Sequence, residues 1–275
     1  MIEKDKYAVF GNPIKHSKSP YIHNAFAAEC RQTLDYRAIK IELDSFGKDA
    51  NQFFQNGGKG LNITLPFKSE AYAFAHTLTE RAEIAGAVNT LVVDGKSQIL
   101  GDNTDGIGLL RDMIANLGWT LSGSRVLILG AGGAVSGVLG PLMGEDPECL
   151  LVVNRTSEKA MQLVDRFVHL GSLEGGGYEL LAGRQFDIII NGTSASLADQ
   201  LPPLDGNLLS DQSYCYDLMY GSKPTVFMQW ALENSALAVA DGLGMLVEQA
   251  AESFYLWRNI RPKTRLVIDM LRDNF

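Results

Sequence analysis

Cysteine is scarce in this chain. Cys30, Cys149 and Cys215 are odd in number and far apart, which excludes a disulfide framework and a Cys-x-x-Cys metal site. Each reads as a small buried apolar residue, and a reducing cytoplasm fits that usage. Basic charge is also short, with Lys+Arg 24 against Asp+Glu 32 and a net charge of -8. No basic cluster suits a nucleic-acid backbone, although one or two local cations can still hold a small anion. No apolar run approaches the roughly 20 residues that span a bilayer. The start, MIEKDKYAVFGNP, lacks an apolar core followed by a small-residue cleavage site, so no signal peptide is expected. The four histidines form no HxxxH pattern, so no metal is expected. His16 and His23 are expected at the surface or in capping roles.

What is present is the material of a two-part α/β chain. In the first hundred residues, Tyr7–Phe10, Tyr36–Ile41 and Leu61–Leu65 read as short strands. Between the first two, Ser19 is a natural N-cap with Pro20 at the first helical position, and Ile22, Phe26 and Cys30 recur at i+4. Val88–Val93 and Gln98–Leu100, on either side of Asp94-Gly95, read as a hairpin. A helical pattern follows from about Ile107 to Leu117.

The second half opens on Ser124–Leu129, a continuous apolar strand of the kind buried on both faces of a parallel sheet. Strands follow at Leu150–Val153, Phe186–Ile190 and Tyr214–Tyr216, with helices between them, which implies a doubly wound parallel sheet. Leu246–Trp257 and Pro262–Leu271 read as two last helices. The expected division is a first domain over 1–105, joined again by 241–275, and a second over 106–240.

The glycines Gly130, Gly132 and Gly133, with Ala131 and Ala134, lie between a strong strand and a helix. That context suits a pyrophosphate, whose charge then faces a helix N-terminus. Val135 occupies the place of the third glycine in G-x-G-x-x-G. The next strand ends at Asn154-Arg155-Thr156 with Lys159 beyond, where an NAD site carries Asp or Glu for the ribose 2′-hydroxyl. Arg can instead grip a 2′-phosphate, so NADP is expected over NAD.

Polar clusters with no evident folding role stand at GNPIKHSKSP 11–20, NITLPFK 62–68, AVNT 87–90 and GDNTDG 101–106. With NRT 154–156 and ADGLGMLVEQA 240–250, they resemble the shikimate dehydrogenase family in order and spacing over essentially the whole chain. The resemblance implies an N-terminal α/β substrate domain, a Rossmann-type NADP domain and an active site in the cleft between them. It implies that Ser17 and Ser19 hold the substrate carboxylate, that Asn62, Thr64, Asn89 and Gln249 hold its hydroxyls, and that Tyr220 closes the pocket. Lys68 and Asp105 are implied as the catalytic pair. For the cofactor it implies Gly130–Ala134 at the pyrophosphate and Asn154, Arg155, Thr156, Ser157, Glu158 and Lys159 at the adenosine phosphate. Thr193, Leu218 and Gly242 are implied near the ribose or nicotinamide, with Glu80 as a further cofactor contact. The chain departs from the family in carrying Ser136 in place of Arg after the glycine loop, and Gly192 and Ser196 in NGTSAS.

These residue types suit the implied chemistry. Shikimate is a small carboxylate with three hydroxyls, which serines and amides satisfy without a metal. Reducing a ketone needs a proton donor at the developing alkoxide, and a lysine ammonium can stabilise that charge and deliver the proton. The expected product is a monomeric or homodimeric enzyme with a small-molecule substrate. Two alternatives remain: a shikimate/quinate dehydrogenase using NAD, which would want an acid near Asn154, and a non-catalytic NADP-binding protein, which would tolerate loss of Lys68 or Asp105.

Overall fold

The computed structural model describes residues 4–95, 98–195 and 200–273. The chain forms two compact units, the first comprising Met1–Gly108 and Val247–Met270, the second Leu109–Leu246 and Leu271–Phe275.

In the first unit, β1 (Asp5–Gly11), α1 (Ser19–Glu29), β2 (Leu34–Lys40), α2 (Phe46–Gln55), β3 (Gly58–Ile63) and α3 (Lys68–Phe74) succeed one another. Then come β4 (Thr77–Leu78), α4 (Glu80–Ala85), β5 (Thr90–Val93), β6 (Ile99–Asp102) and α5 (Asp105–Arg111). The strands make one mixed sheet in the order β2-β1-β3-β5-β6-β4. β5 and β6 pair antiparallel as the expected hairpin. Alternation along β1 shows how the sheet is covered on both faces. Ala8 and Phe10 join Phe46, Ala50 and Phe67 in one core cluster. Tyr7, pointing the other way, stacks on Trp257 with ring centroids 4.6 Å apart. Trp257 also explains Gly60, where a Cβ would lie 2.3 Å from the indole nitrogen.

Two features of α1 differ from expectation. The helix begins at Ser19 itself, with Lys18 at the cap and no side-chain cap. Instead the Ser17 hydroxyl accepts from the Ser19 N–H at 3.3 Å. His23 is fully buried rather than at the surface, while His16 is exposed. The buried stripe is Ser19, Ile22, His23, Phe26 and Ala27, a regular i, i+3, i+4 face onto which His23 falls. Its ring stacks on Tyr36 at 4.3 Å and 10°.

In the second unit, β7 (Arg125–Leu129), α6 (Gly133–Met143), β8 (Cys149–Val153), α7 (Ser157–Phe167) and β9 (Leu173–Gly176) form the first half. β10 (Phe186–Asn191), β11 (Leu209–Asp217), α8 (Val226–Glu233) and β12 (Ala238–Asp241) form the second. The order β12-β11-β10-β7-β8-β9, parallel throughout, is the doubly wound dinucleotide-binding order with its switch point between β7 and β10. The middle of the sheet is buried on both faces, Val126 to Leu129 having no exposure.

The last helices are α9 (Leu243–Arg258) and α10 (Arg265–Asp273). The division of the chain departs from the expected boundaries at 105/106 and 241: it falls at 108/109 inside α5 and at 246/247 inside α9, and Leu271 onward groups with the second unit. The expected helix 107–117 starts earlier and is α-helical only to Arg111, continuing as a π-helical turn over Asp112–Asn116. The strand expected at Leu61–Leu65 starts and ends earlier.

Candidate active site

NITLPFK runs off the end of β3, and α3 begins at Lys68 after Pro66. The Lys68 ammonium forms an ion pair and hydrogen bond with Asp105 Oδ2, at the start of α5. The side chains are 21% and 10% exposed, so the pair is largely shielded yet reachable. The other oxygen, Asp105 Oδ1, accepts from the Asn89 amide at 2.7 Å. Asn89 is itself fixed, its Oδ1 accepting from the Thr104 backbone N–H at 2.9 Å and the Thr90 hydroxyl at 3.0 Å. Gln249 on α9 reaches the same group, its Oε1 within 3.3 Å of the Thr104 hydroxyl and 3.5 Å of Asn89 Nδ2.

Asn62 lies deeper, with its amide engaged by protein. Its Oδ1 accepts from the Tyr36 hydroxyl at 2.7 Å, and its Nδ2 lies 3.0 Å from Ser253 Oγ and 3.2 Å from Thr90 Oγ1. Ser19 is buried, and burial of the Tyr36 phenol raises its pKa well above the usual range, an effect that Ser19 partly offsets. Ser17 and Thr64 are half-buried. The loop carrying Asp105 is anchored from behind: Arg81 grips buried Asp102 through Nε at 2.7 Å and Nη2 at 2.5 Å, and the Asn103 amide donates to Ala87 O at 3.0 Å. Such a buried, doubly bonded pair holds GDNTDG in place.

Thr104, Thr90, Ser253 and Tyr36 were not singled out from the sequence. Thr90 and Thr104 stand inside the motifs AVNT and GDNTDG, whereas Ser253, four residues after Gln249 on one helix face, carries no local signal of its own.

In the second unit the glycine loop joins β7 to α6. Gly130 needs its glycine: its φ is +103°, and a Cβ would lie 3.1 Å from the Gly192 backbone. Gly132 and Gly133 face open space, the cradle that a backbone-bound phosphate requires. Val135, where the fingerprint has its third glycine, is accommodated by Gly192. A Cβ on Gly192 would lie 2.4 Å from Val135 Cγ2, so Gly192 in NGTSAS makes room for Val135 in place of the fingerprint's third glycine. Ser196 lies outside the described residues, and Ser136 is buried in α6.

Asn154 follows β8, and its amide donates to Thr156 O at 2.9 Å, fixing the turn. Arg155, Thr156, Glu158 and Lys159 are exposed and Ser157 half-buried there. Arg155 makes no ion pair among the described residues, and its charge reaches the Tyr178 phenol. Open glycine backbone at the switch point, with a free guanidinium and no carboxylate at the end of β8, fits a dinucleotide bearing a 2′-phosphate. Thr193 follows β10 and donates to Asn191 Oδ1 at 2.7 Å, while Leu218 N–H donates to Asn191 O at 2.9 Å. Gly242 is packed so tightly that a Cβ would lie 2.2 Å from Leu218 O. Tyr220, also in this unit, is half-buried, and burial raises its phenol pKa with Asp241 adding to the effect. Glu80 belongs to the first unit, exposed in the first turn of α4.

Models of three domains match: the shikimate dehydrogenase substrate binding domain over residues 9–91, shikimate / quinate 5-dehydrogenase over 112–198, and the shikimate 5′-dehydrogenase C-terminal domain over 242–272. The shikimate dehydrogenase (NADP(+)) of Cellvibrio japonicus (strain Ueda107) is 57% identical over 268 residues, covering 98% of this chain and 97% of its own. Among solved structures, an Ael1 enzyme from Pseudomonas putida superposes with a TM-score of 0.93 at 48% identity, covering 98% of both chains. Shikimate 5-dehydrogenase from Thermus thermophilus, in complex with NADP(H) and shikimate, gives 0.87 at 28%, covering 98% of this chain and 100% of that one. Identity of this extent, over units that carry the site residues described, shows that the chain belongs to the shikimate dehydrogenase family.

Proposed function

We propose that this chain catalyses the reversible NADPH-dependent reduction of 3-dehydroshikimate to shikimate, with Lys68 and Asp105 as the catalytic pair. The observation that carries the reading is the shielded Lys68–Asp105 pair, fixed on its far side by Asn89. Bound NADPH supplies the hydride. Lys68 holds its ammonium proton for the ketone oxygen and, once neutral, withdraws the hydroxyl proton in the oxidation direction. Asp105 Oδ2 orients Lys68 and accepts from a substrate hydroxyl. Ser17 and Ser19 bind the substrate carboxylate. Asn62, Thr64, Asn89 and Gln249 take the hydroxyls, and Tyr220 closes over the ring. Gly130–Ala134 hold the pyrophosphate, Asn154–Lys159 the adenosine phosphate, and Thr193, Leu218 and Gly242 border the ribose or nicotinamide.

Cys30, Cys149 and Cys215 form no disulfide, which suits a reducing cytoplasm.

Arg155 tests the cofactor assignment. Losing its charge-assisted hydrogen bonds to a 2′-phosphate costs on the order of 1.5–3 kcal/mol. Arg155→Ala should therefore lower kcat/KM for NADP roughly tenfold to a hundredfold. The constant for NAD should barely move, because NAD lacks the phosphate. Equal use of both cofactors by the unsubstituted enzyme would remove Arg155 from this role.

A further inference from the structure

We infer that Thr90 and Ser253 are positioning residues for the reaction, linked in a one-way chain of hydrogen bonds that ends on Asp105. The inference rests on the reading of Lys68 and Asp105 as the acting pair.

Each donor in the chain can be assigned. Asp105 Oδ1, as a carboxylate oxygen, can only accept, so the Asn89 group 2.7 Å away is its NH2. The Asn89 oxygen therefore points the other way, toward the Thr104 N–H at 2.9 Å and the Thr90 hydroxyl at 3.0 Å. Thr90 has one proton, and Asn89 receives it. The Ser253 oxygen, 2.7 Å from Thr90 Oγ1, must then be the donor in that contact. In the opposite sense Thr90 would donate to Ser253 and Ser253 to Gln249 O at 3.1 Å, leaving Asn89 Oδ1 to Thr104 alone, and Thr90→Val would then leave kcat unchanged. With Ser253 donating, its oxygen accepts from Asn62 Nδ2 at 3.0 Å, and Asn62 Oδ1 accepts from Tyr36 at 2.7 Å. The links run head to tail: Tyr36, Asn62, Ser253, Thr90, Asn89, Asp105. Thr90 and Ser253 are fully buried, so water cannot replace a missing link.

The chain matters because an asparagine amide can flip. A flipped Asn89 would set its carbonyl oxygen against Asp105 Oδ1, and the carboxylate would swing from the geometry that leaves Oδ2 to Lys68. The Thr90 proton opposes that flip, and Ser253 keeps the Thr90 proton pointed at Asn89. Chains of aligned hydrogen bonds also polarise one another in a low dielectric.

The test compares Thr90→Val, Thr90→Ser, Ser253→Ala and the double variant Thr90→Val/Ser253→Ala, with kcat and KM for shikimate measured beside the thermal midpoint. Thr90→Val should lower kcat about tenfold, the worth of one buried hydrogen bond to a charged network, with a smaller change in KM. Ser253→Ala, which removes a single oxygen, should lower kcat in the same sense. The double variant should be no worse than Thr90→Val, because both act through one contact. Thr90→Ser, which keeps the hydroxyl, should restore most of the turnover. Losses that multiply in the double variant, or a lower midpoint with unchanged kcat, would overturn the relay while leaving the reading of function intact. An unsubstituted enzyme without turnover would overturn the reading itself, and the relay with it.

Discussion

Lys68→Ala should lower kcat for shikimate oxidation by about 10²–10⁴-fold while shikimate affinity stays close to that of the unsubstituted enzyme. The asymmetry follows from where the ammonium acts. Its proton meets an oxygen that carries charge only as hydride leaves or arrives, so the interaction is made mainly in the transition state. In the proposed site the substrate carboxylate and hydroxyls have other partners, Ser17, Ser19, Asn62, Asn89 and Gln249 among them, and these remain in the variant. Asp105 loses its countercharge but keeps the Asn89 amide at 2.7 Å. Lys68→Met, which keeps the stem and removes the charge, should behave like the alanine variant. Calorimetry of shikimate binding beside turnover separates the two effects. A variant that binds shikimate poorly but turns over normally at saturation would make Lys68 a binding group only.

The second large effect is on stability in acid and concerns His23. Burial pushes its imidazole down from the ordinary 6.5 to about 3, and the Asn62 side chain beside it offsets only part of that. Neither ring nitrogen has a partner at hydrogen-bonding geometry, and the ring is enclosed by Phe26, Tyr36, Phe254 and Trp257. Above pH 6.5 the imidazole is neutral whether folded or unfolded, so it contributes no pH dependence. Below that, the unfolded chain takes up a proton that the folded chain refuses until near pH 3. Stability therefore falls with pH by about 1.4 kcal/mol per unit across this window. Between pH 6.5 and about pH 5 the loss amounts to about 2 kcal/mol. In His23→Phe that component is absent, and the denaturation midpoint should decline less steeply over the same interval. Parallel pH dependence in the two proteins would show that His23 is not held neutral by its surroundings.

Much of the fold was legible because strong local patterns coincided with the tertiary role. SRVLIL followed by glycines reads as a central parallel strand turning sharply into a helix, and β7 and α6 are that. β9 was not legible, because Leu173–Gly176 reads LEGG and its pairing with β8 owes nothing to β-forming side chains. His23 departs from the sequence-based expectation for a different reason. A polar, titratable side chain near two serines suggests exposure, yet its position on the stripe with Ile22 and Phe26 decides its burial.

The candidate site divides the same way. Lys68, Asp105, Asn89 and Gln249 stand in distinctive motifs, and the first unit brings them into one hydrogen-bonded group. Ser253 lies in an ordinary stretch of helix, AAESF, and only the approach of Asn62 and Thr90 from the sheet gives it a role. Long-range contacts of that kind leave no local signature. The Gly192–Val135 pair is another case: each departure from pattern looks like a weakness alone, and together they pack.

The most direct measurement is to mix the protein with shikimate and NADP and follow the near-ultraviolet absorbance of NADPH. The account predicts an increase that needs both reagents, is far weaker with NAD, and reverses on adding 3-dehydroshikimate. A folded protein that binds shikimate and NADP yet produces no NADPH would contradict it.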